Sequence, residues 1–189
     1  GYFWISYEDK SIQRYDSYVV EVGDTSDYED VYFYDGLGSE HWTTAYKTAA
    51  NVFTAENDIY LTKIGHSASG KVSYGLQIYT GLPENCTDPT AGTLLLKQSG
   101  NTNGEKYIPV EGDVKISKGE RFSVVLTMDR VYYEGTDTES AKYTCAPGDS
   151  FLVDGNLNWV DMYDTSYGNA GIRAIAKYQN DSGIYKVSY

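Results

Sequence analysis

The segment from residue 156 to residue 169 has a composition typical of surfaces that bind small polar ligands. It reads NLNWVDMYDTSYGN, in which aromatic rings interleave with carboxylates and amides: Trp159, Tyr163, Tyr167, Asn158, Asp161, Asp164 and Asn169. Aromatic faces pack against the apolar C–H groups of sugar rings, and the polar groups beside them accept or donate hydrogen bonds to hydroxyls. The pattern predicts a carbohydrate-binding surface around Trp159, Tyr163, Asp161 and Asn158. The alternative is that Trp159 is a buried core residue.

A second aromatic pair offers a further candidate platform. Trp42 lies in SEHWTTAY, and Tyr46 follows four residues later. The stretch carries polar neighbours of the same kind, so Trp42 and Tyr46 are also predicted to contact sugar. Trp4, within the apolar run GYFWI, is expected to be buried structure instead.

Two acidic loops have oxygen ligands of the kind that calcium takes. GDTSDYED contributes Asp24, Asp27, Glu29 and Asp30, and DGNLNWVDMYD contributes Asp154, Asn156, Asn158 and Asp161. Calcium takes about six to eight oxygens, but neither loop follows the EF-hand pattern. Acidic loops are also typical of solvated turns. The expectation is therefore no cofactor, with calcium left open as an alternative.

The two cysteines lie in surroundings rich in turn-forming residues. Cys86 lies in ENCTDPTAG and Cys145 in YTCAPGDS, without a CxxC pattern or a neighbouring histidine that would indicate zinc. Two loop cysteines favour a Cys86–Cys145 disulfide, with two free thiols as the alternative. A disulfide would indicate an extracytoplasmic compartment.

No catalytic site is predicted. The chain has only two histidines, His41 and His66, and a Cys145–His66 pair lacks the sequence context of a papain-like nucleophile. Paired carboxylates can be chosen in too many ways from 27 acidic residues to indicate glycoside hydrolysis.

The charge balance excludes several partners. The 189 residues include 27 acidic and 15 basic ones, for a net charge of −12. Nucleic acids and anionic membrane surfaces require clustered Lys and Arg, which this sequence lacks. No apolar run is long enough to span a membrane, so membrane insertion is not expected either. The acidity suits cations and neutral ligands such as sugars.

The elements that must position these residues are predicted to be short strands. KVSYGLQIYT, ERFSVVLTMD and GIRAIAKY alternate apolar and polar residues with a period of two, the pattern of antiparallel strands over a core. Turn clusters such as SASGK, SGNTNGEK and ISKGE separate them, and HWTTAYKTAANVF reads as a loop that runs into a strand. This organisation predicts an all-β antiparallel sandwich of jelly-roll character.

Several segments resemble a known family when they are taken in order. AANVFTAEN, YGLQIYTGL, TAGTLLLKQSG, VKISKGERFSVVL, PGDSFLVDGNLNWVDM and NAGIRAIAKY are similar to the lectin-like domain that follows the catalytic domain in clostridial-type papain-family cysteine peptidases. GYFWISYED resembles the last strand of the peptidase domain. The resemblance covers nearly the whole chain.

The resemblance implies a domain organisation. Residues 1–22 would be the final strand of a peptidase domain, residues 23–44 an acidic Tyr-rich connector, and residues 45–189 the lectin-like sandwich. The catalytic Cys, His and Asn of that family precede the GYF strand, so the resemblance implies no enzyme activity for this chain.

The resemblance also implies a function. The chain would be an accessory domain of a secreted or cell-surface bacterial peptidase that binds a carbohydrate or glycoprotein, with the peptidase domain as its partner in cis. Two alternatives stay open: a structural module that stabilises or restricts the peptidase, and a protein-binding adhesion domain.

Overall fold

A computed structural model describes residues 30–34, 41–134, 145–165 and 167–179. These residues form twelve strands and a short 3-10 turn at Met162–Asp164. The strands are β1 (Asp30–Tyr32), β2 (His41–Thr43), β3 (Thr48–Thr54), β4 (Ile59–His66), β5 (Ser73–Thr80), β6 (Thr93–Asn101), β7 (Tyr107–Ile116), β8 (Arg121–Thr127), β9 (Tyr132–Glu134), β10 (Ser150–Val153), β11 (Trp159–Asp161) and β12 (Ile172–Tyr178).

The strands assemble into two main antiparallel sheets. One has four strands in the order β1-β12-β4-β7, and the other has six in the order β11-β10-β3-β8-β5-β6. A small third sheet pairs β2 with β9. The predicted all-β antiparallel sandwich is confirmed. HWTTAYKTAANVF runs from a loop into β3 as predicted, but it begins with the short strand β2, which was not predicted.

The main core lies between the two large sheets. Leu76 and Ile78 of β5 and Phe122 and Val124 of β8 are fully buried in one cluster with residues of β4, β7 and β12. The period-two pattern of these strands correctly predicted which side chains face inward. This apolar cluster is the dominant favourable contribution to folding.

A buried polar network joins the sheets at one end of this core. Asn51 of β3 is fully buried, and its Nδ2 donates to the carbonyl oxygens of Ala170 at 3.0 Å and Ile172 at 2.9 Å. Its Oδ1 accepts from the Ser150 hydroxyl at 2.7 Å. Because each of these buried groups is paired, the network fixes β3 and β10 against the start of β12.

The four-stranded sheet begins earlier in the chain than residue 45. Asp30–Tyr32 pair with Ala174–Ala176 of β12, and the Tyr32 ring lies 5.4 Å from the Phe122 ring in an edge-on contact. Asp30–Tyr32 and β2 both fall within the segment 23–44 that the sequence marked as a connector. The expected peptidase strand at residues 1–22 and the end of the chain at 180–189 lie outside the described residues.

The predicted Cys86–Cys145 disulfide is wrong, because both cysteines are free thiols. Cys86 is packed as a small apolar residue, and its Sγ donates to the Asp88 carbonyl oxygen at 3.0 Å. Cys145 is half-buried, and burial together with the carboxylates of Asp161, Asp149 and Glu134 raises its pKa to about 11. The inference of an extracytoplasmic compartment from a disulfide falls with it.

Candidate functional site

A tight turn between β10 and β11 positions the Trp159 surface. The Asp154 carboxylate accepts hydrogen bonds from the backbone N–H groups of Asn156 at 2.8 Å and Asn158 at 2.9 Å. These bonds lower the pKa of Asp154. Leu157 takes a positive φ of 64° at the tip. The turn therefore returns the chain in register, with Trp159 opposite Val153.

Trp159 lies on the outer face of the six-stranded sheet, at its edge. It is half-buried and packs against a second apolar group, which we call the outer cluster: Ala50, Val52, Leu82, Cys86, Val125 and Phe151. Trp159 is thus neither a fully buried core residue nor a fully exposed platform. The outer cluster holds one part of the side chain, and the remainder is accessible to a ligand.

Asp161 is a rigid hydrogen-bond acceptor beside Trp159. Its Oδ1 accepts from the backbone N–H of Tyr163 at 3.0 Å, and its Oδ2 accepts from that of Gly148 at 2.7 Å. Each carboxylate oxygen has a further lone pair that can accept from a hydroxyl. Tyr163, on the 3-10 turn, is 53% exposed, and Asn158 is exposed as well. The structure therefore brings all four primary candidates to one sheet edge.

The remaining aromatic and amide candidates have structural contacts. The Tyr167 ring lies 4.7 Å from that of Tyr133 and 6.4 Å from that of Tyr46, and both Tyr46 and Tyr167 pack against the main core. Asn169 is fully buried and accepts from the Ser150 hydroxyl at 3.2 Å. Trp42, on β2, pairs with Tyr133 of β9, but the Trp42 side chain is outside the described part of the structure.

The carboxylates of the described calcium candidates accept hydrogen bonds from protein groups. Asp30 accepts from the hydroxyls of Tyr32 at 3.1 Å and Tyr178 at 3.2 Å, and Asp154 caps its turn. Within the described ranges, no group of three or more His, Cys, Asp or Glu side chains could hold a metal. Asp24 and Asp27 lie outside these ranges, so calcium there stays a prediction.

Cys145 and His66 do not form a nucleophile–base pair in the described part of the chain. Neither ring nitrogen of His66 has a hydrogen-bond partner in the described structure, so His66 does not pair with Cys145. With a pKa of about 11, the Cys145 thiol is protonated at neutral pH. His66 instead borders a pocket on the opposite face of the molecule, which the sequence did not predict.

Two packed antiparallel sheets with an aromatic and acidic edge define the architecture as a β-sandwich of the lectin-like class. The model of the lectin-like domain family matches residues 31–176, and the chain therefore belongs to that family. The match confirms the resemblance read from the sequence. The matched residues are those of a lectin-like domain and not of a cysteine peptidase catalytic domain.

Two solved structures share this fold. One is a clostridial cysteine protease, Cwp84, after propeptide cleavage, with a TM-score of 0.60 and 22% identity over 81% of this chain and 41% of that one. The other contains the cysteine protease and lectin-like domains of Cwp84, a surface layer associated protein of Clostridium difficile. Its TM-score is 0.57, with 22% identity over 81% of this chain and 36% of that one.

The chain thus spans well under half the length of either solved relative. A comparison with curated proteins finds no match. In the part of the chain that the structure describes, no helix has the length and apolar character needed to cross a membrane.

Proposed function

We propose that this chain is the accessory domain of a papain-family cysteine peptidase at the bacterial cell surface or outside the cell, and that it binds carbohydrate. The solved relatives support this arrangement, since one of them joins a cysteine protease to a lectin-like domain and is associated with a surface layer. The domain would hold the peptidase, its partner in cis, near glycans or glycoproteins. Tethering of this kind raises the effective concentration of the catalytic domain at its target.

The observation that carries the carbohydrate proposal is the placement of Trp159. A half-buried indole at a sheet edge is already ordered by the outer cluster, so little side-chain entropy is lost when a ligand packs on it. The adjacent Asp161 carboxylate is likewise fixed by two backbone N–H groups before any ligand arrives. Ring and acceptor together suit a neutral sugar: C–H groups on the indole and hydroxyls on the carboxylate.

A glycan array on the chain, with and without calcium, tests this proposal. We expect binding to at least one neutral glycan without calcium. If calcium is required, the acidic segment that includes Asp24 and Asp27 becomes part of the site. A blank array under both conditions, together with stabilisation of the peptidase by this domain, would instead favour the structural role.

Variants then locate the site. We expect Trp159→Ala to weaken binding roughly tenfold or more, as truncation of a central interface aromatic typically does. Trp42→Ala tests the second candidate platform on the same array. If Trp159→Ala folds and binds as the natural chain does, the Trp159 surface is not the site.

A further inference from the structure

A cleft opens on the outer face of the six-stranded sheet, where two neighbouring strands separate. The pairing of β5 with β8 ends at Gly75 and Thr127. Beyond this pair, the Met128 N–H donates to the carbonyl oxygen of Lys47 at 2.9 Å, while β5 stays paired with β6 through Ser73. The separation leaves a cleft of about 440 Å³, within the roughly 300–1,000 Å³ of small-ligand sites.

A glycine in the wall of the cleft keeps it open. Gly75 lies between Tyr74 and Leu76, which both pack in the main core, so a side chain at residue 75 would point outward. Among the described residues, a Cβ atom at Gly75 would meet only the Thr127 Cβ, at 3.8 Å. Glycine weakens a strand interior, and the close approach of a ligand is one reason for its presence there.

The polar groups of the cleft suit a neutral ligand with many hydroxyls. Lys71 and Asp129 bring opposite charges to it. The Asp129 carboxylate is held by Arg130, whose backbone N–H donates to Oδ1 at 3.0 Å and whose Nε lies 3.3 Å from Oδ2. The Ser73 hydroxyl donates to the Asn101 Oδ1 at 3.0 Å, which leaves the Ser73 oxygen able to accept. Donors and acceptors are thus present together, as the hydroxyls of a sugar require.

One line of residues connects this cleft to the Trp159 surface. Its members face outward, because residues next to them on the same strands, such as Leu76, Leu126 and Leu152, belong to the main core. From the sheet edge to the cleft, the line consists of Trp159, Val153, Thr48, Thr127 and Gly75. Its ends are four strand spacings apart, which amounts to about 19 Å. The line is therefore longer than a single sugar unit.

A pair of hydroxyls lies in the middle of the line. The hydroxyl oxygens of Thr48 and Thr127 are 2.9 Å apart and bond to each other across the β3–β8 pair. Together they keep one O–H donor and several acceptor lone pairs for a ligand. Ala50 and Val125, the next outward-facing residues on these strands, are buried in the outer cluster, whereas Thr127 is exposed. The line therefore follows the border of the buried part of this face and is itself accessible.

We infer that the cleft is a second sugar subsite, and that one linear neutral oligosaccharide lies across the strands from Trp159 to the cleft. The inference rests on the proposed carbohydrate function. One sugar unit packs on Trp159, another enters the cleft at Gly75, and units between them bond to the threonine hydroxyls. Val153 carries no side-chain hydrogen-bonding group, so the two ends and the threonine pair supply the affinity. Two linked subsites reinforce each other, because binding at one raises the effective concentration of ligand at the other.

A calorimetric titration of the full chain with glycans of increasing length tests the inference. The probes are soluble neutral fragments of cellulose and of chitin, from the disaccharide to the hexasaccharide. We expect the hexasaccharide of at least one series to bind roughly tenfold or more tighter than its disaccharide. Equal affinities along each series that binds would overturn the inference and leave the Trp159 surface as a single subsite. The absence of any binding would also overturn it, while the glycan array decides the proposed function separately.

Matched variants locate the second subsite. Gly75→Val fills the cleft without meeting backbone, so it should lower hexasaccharide affinity to that of the disaccharide and leave disaccharide binding unchanged. Thr127→Val removes a hydroxyl at nearly constant shape and should weaken hexasaccharide binding about threefold or more. Thr93→Val makes the same change at an exposed position near the other end of the sheet and is expected to change nothing.

Two results with these variants would contradict the inference. In the first, Gly75→Val and Thr127→Val fold and bind the hexasaccharide as the natural chain does, so the cleft is not a subsite. In the second, Thr93→Val weakens binding as much as Thr127→Val does, so the loss is not specific to the line.

Discussion

The two outer faces of this sandwich differ in how they are covered, although the strands of both sheets follow the same alternating pattern. On the six-stranded sheet, the segment 81–92 folds back over the strands, and Leu82 and Cys86 pack on Val125 and Phe151 in the outer cluster. On the four-stranded sheet, Arg173 and Tyr107 border a pocket, and the Arg173 guanidinium lies over the exposed Phe33 ring. A covered face orders an aromatic at its edge, whereas an open face leaves a space that a ligand can enter.

Specific hydrogen bonds hold the covering segment in place. Arg121 of β8 donates from Nη1 to the Pro83 carbonyl oxygen at 2.9 Å and also to that of Glu84, while the Ser123 hydroxyl donates to the Pro89 carbonyl oxygen. These bonds let a loop rather than a third sheet bury the outer cluster. A loop can shift more easily than a hydrogen-bonded sheet. We therefore expect the outer cluster to be less rigid than the main core.

Truncation of a phenylalanine in each cluster gives the largest expected effects. Phe122→Ala in the main core should cost about 3–5 kcal/mol of the free energy of unfolding, because two rigid sheets cannot close the cavity. Phe151→Ala in the outer cluster should cost less, since the 81–92 loop can settle into the space. Urea denaturation measures both. An equal or larger loss for Phe151→Ala would mean that the two clusters are equally rigid.

A pair of glycine substitutions compares how much room the two faces leave for an added Cβ atom. A Cβ on Gly92, at the end of the covering loop, would lie 2.2 Å from the Thr80 carbonyl oxygen, so backbone must move. Gly92→Ala should therefore cost about 1–3 kcal/mol, in the range of overpacking substitutions. Gly65→Ala should cost less than Gly92→Ala, because its Cβ would meet only side-chain atoms, the Arg173 Cβ at 3.3 Å and the Tyr107 ring at 3.4 Å, and no backbone atom. Thermal unfolding of both variants checks the order, and a larger loss for Gly65→Ala would contradict it.

The cysteines extend the comparison to reactivity. Burial raises the pKa of Cys86, and that of Cys145 is about 11, so both thiols should be alkylated slowly in the folded protein at pH 8. After denaturation without a reductant, both should titrate with Ellman's reagent. If no free thiol appears in the denatured and unreduced chain, the disulfide exists after all.

The smallest expected effect is a pH dependence of stability that comes from the buried His66. The folded-state pKa of His66 is lowered from the ordinary 6.5 by burial and by Lys106. The unfolded chain therefore takes up the proton first, and stability falls as the pH decreases through 6.5 toward the folded-state pKa. Denaturation of the natural chain and His66→Asn between pH 7.5 and 5.5 should show a steeper loss for the natural chain. Identical slopes would contradict this contribution.

The strands of the main core could be predicted from the sequence, because their apolar and polar residues alternate and this pattern indicates one buried face. Leu76, Ile78, Phe122 and Val124 followed that rule. The outer cluster was missed because a loop, not a strand, buries the second face. In TAANVFT, Ala50 and Val52 are apolar on the face that ought to be polar, and nothing local shows what covers them. Cys86 was wrongly assigned to a disulfide because nothing in its loop shows that it packs on the sheet.

The pocket could not be predicted because strand pairing assembles it from distant residues. Gly65, Tyr107 and Arg173 are each ordinary in their own strands, and only the β12-β4-β7 order makes them neighbours. The proposed Trp159 surface differs in this respect, since one hairpin of consecutive residues supplies its ring, acceptor and amide. Asn169, in the same segment, was misleading because its amide lies in the buried network with Ser150.

The most direct test of the central proposal is a calorimetric titration of the best glycan from the array into a matched pair of variants. Trp159→Ala and Val153→Ala remove opposed side chains of one cross-strand pair. We expect both variants to fold, Val153→Ala to bind as the natural chain does, and Trp159→Ala to lose roughly tenfold or more in affinity. Equal affinity in all three proteins, with folding verified, would contradict carbohydrate binding at the Trp159 surface.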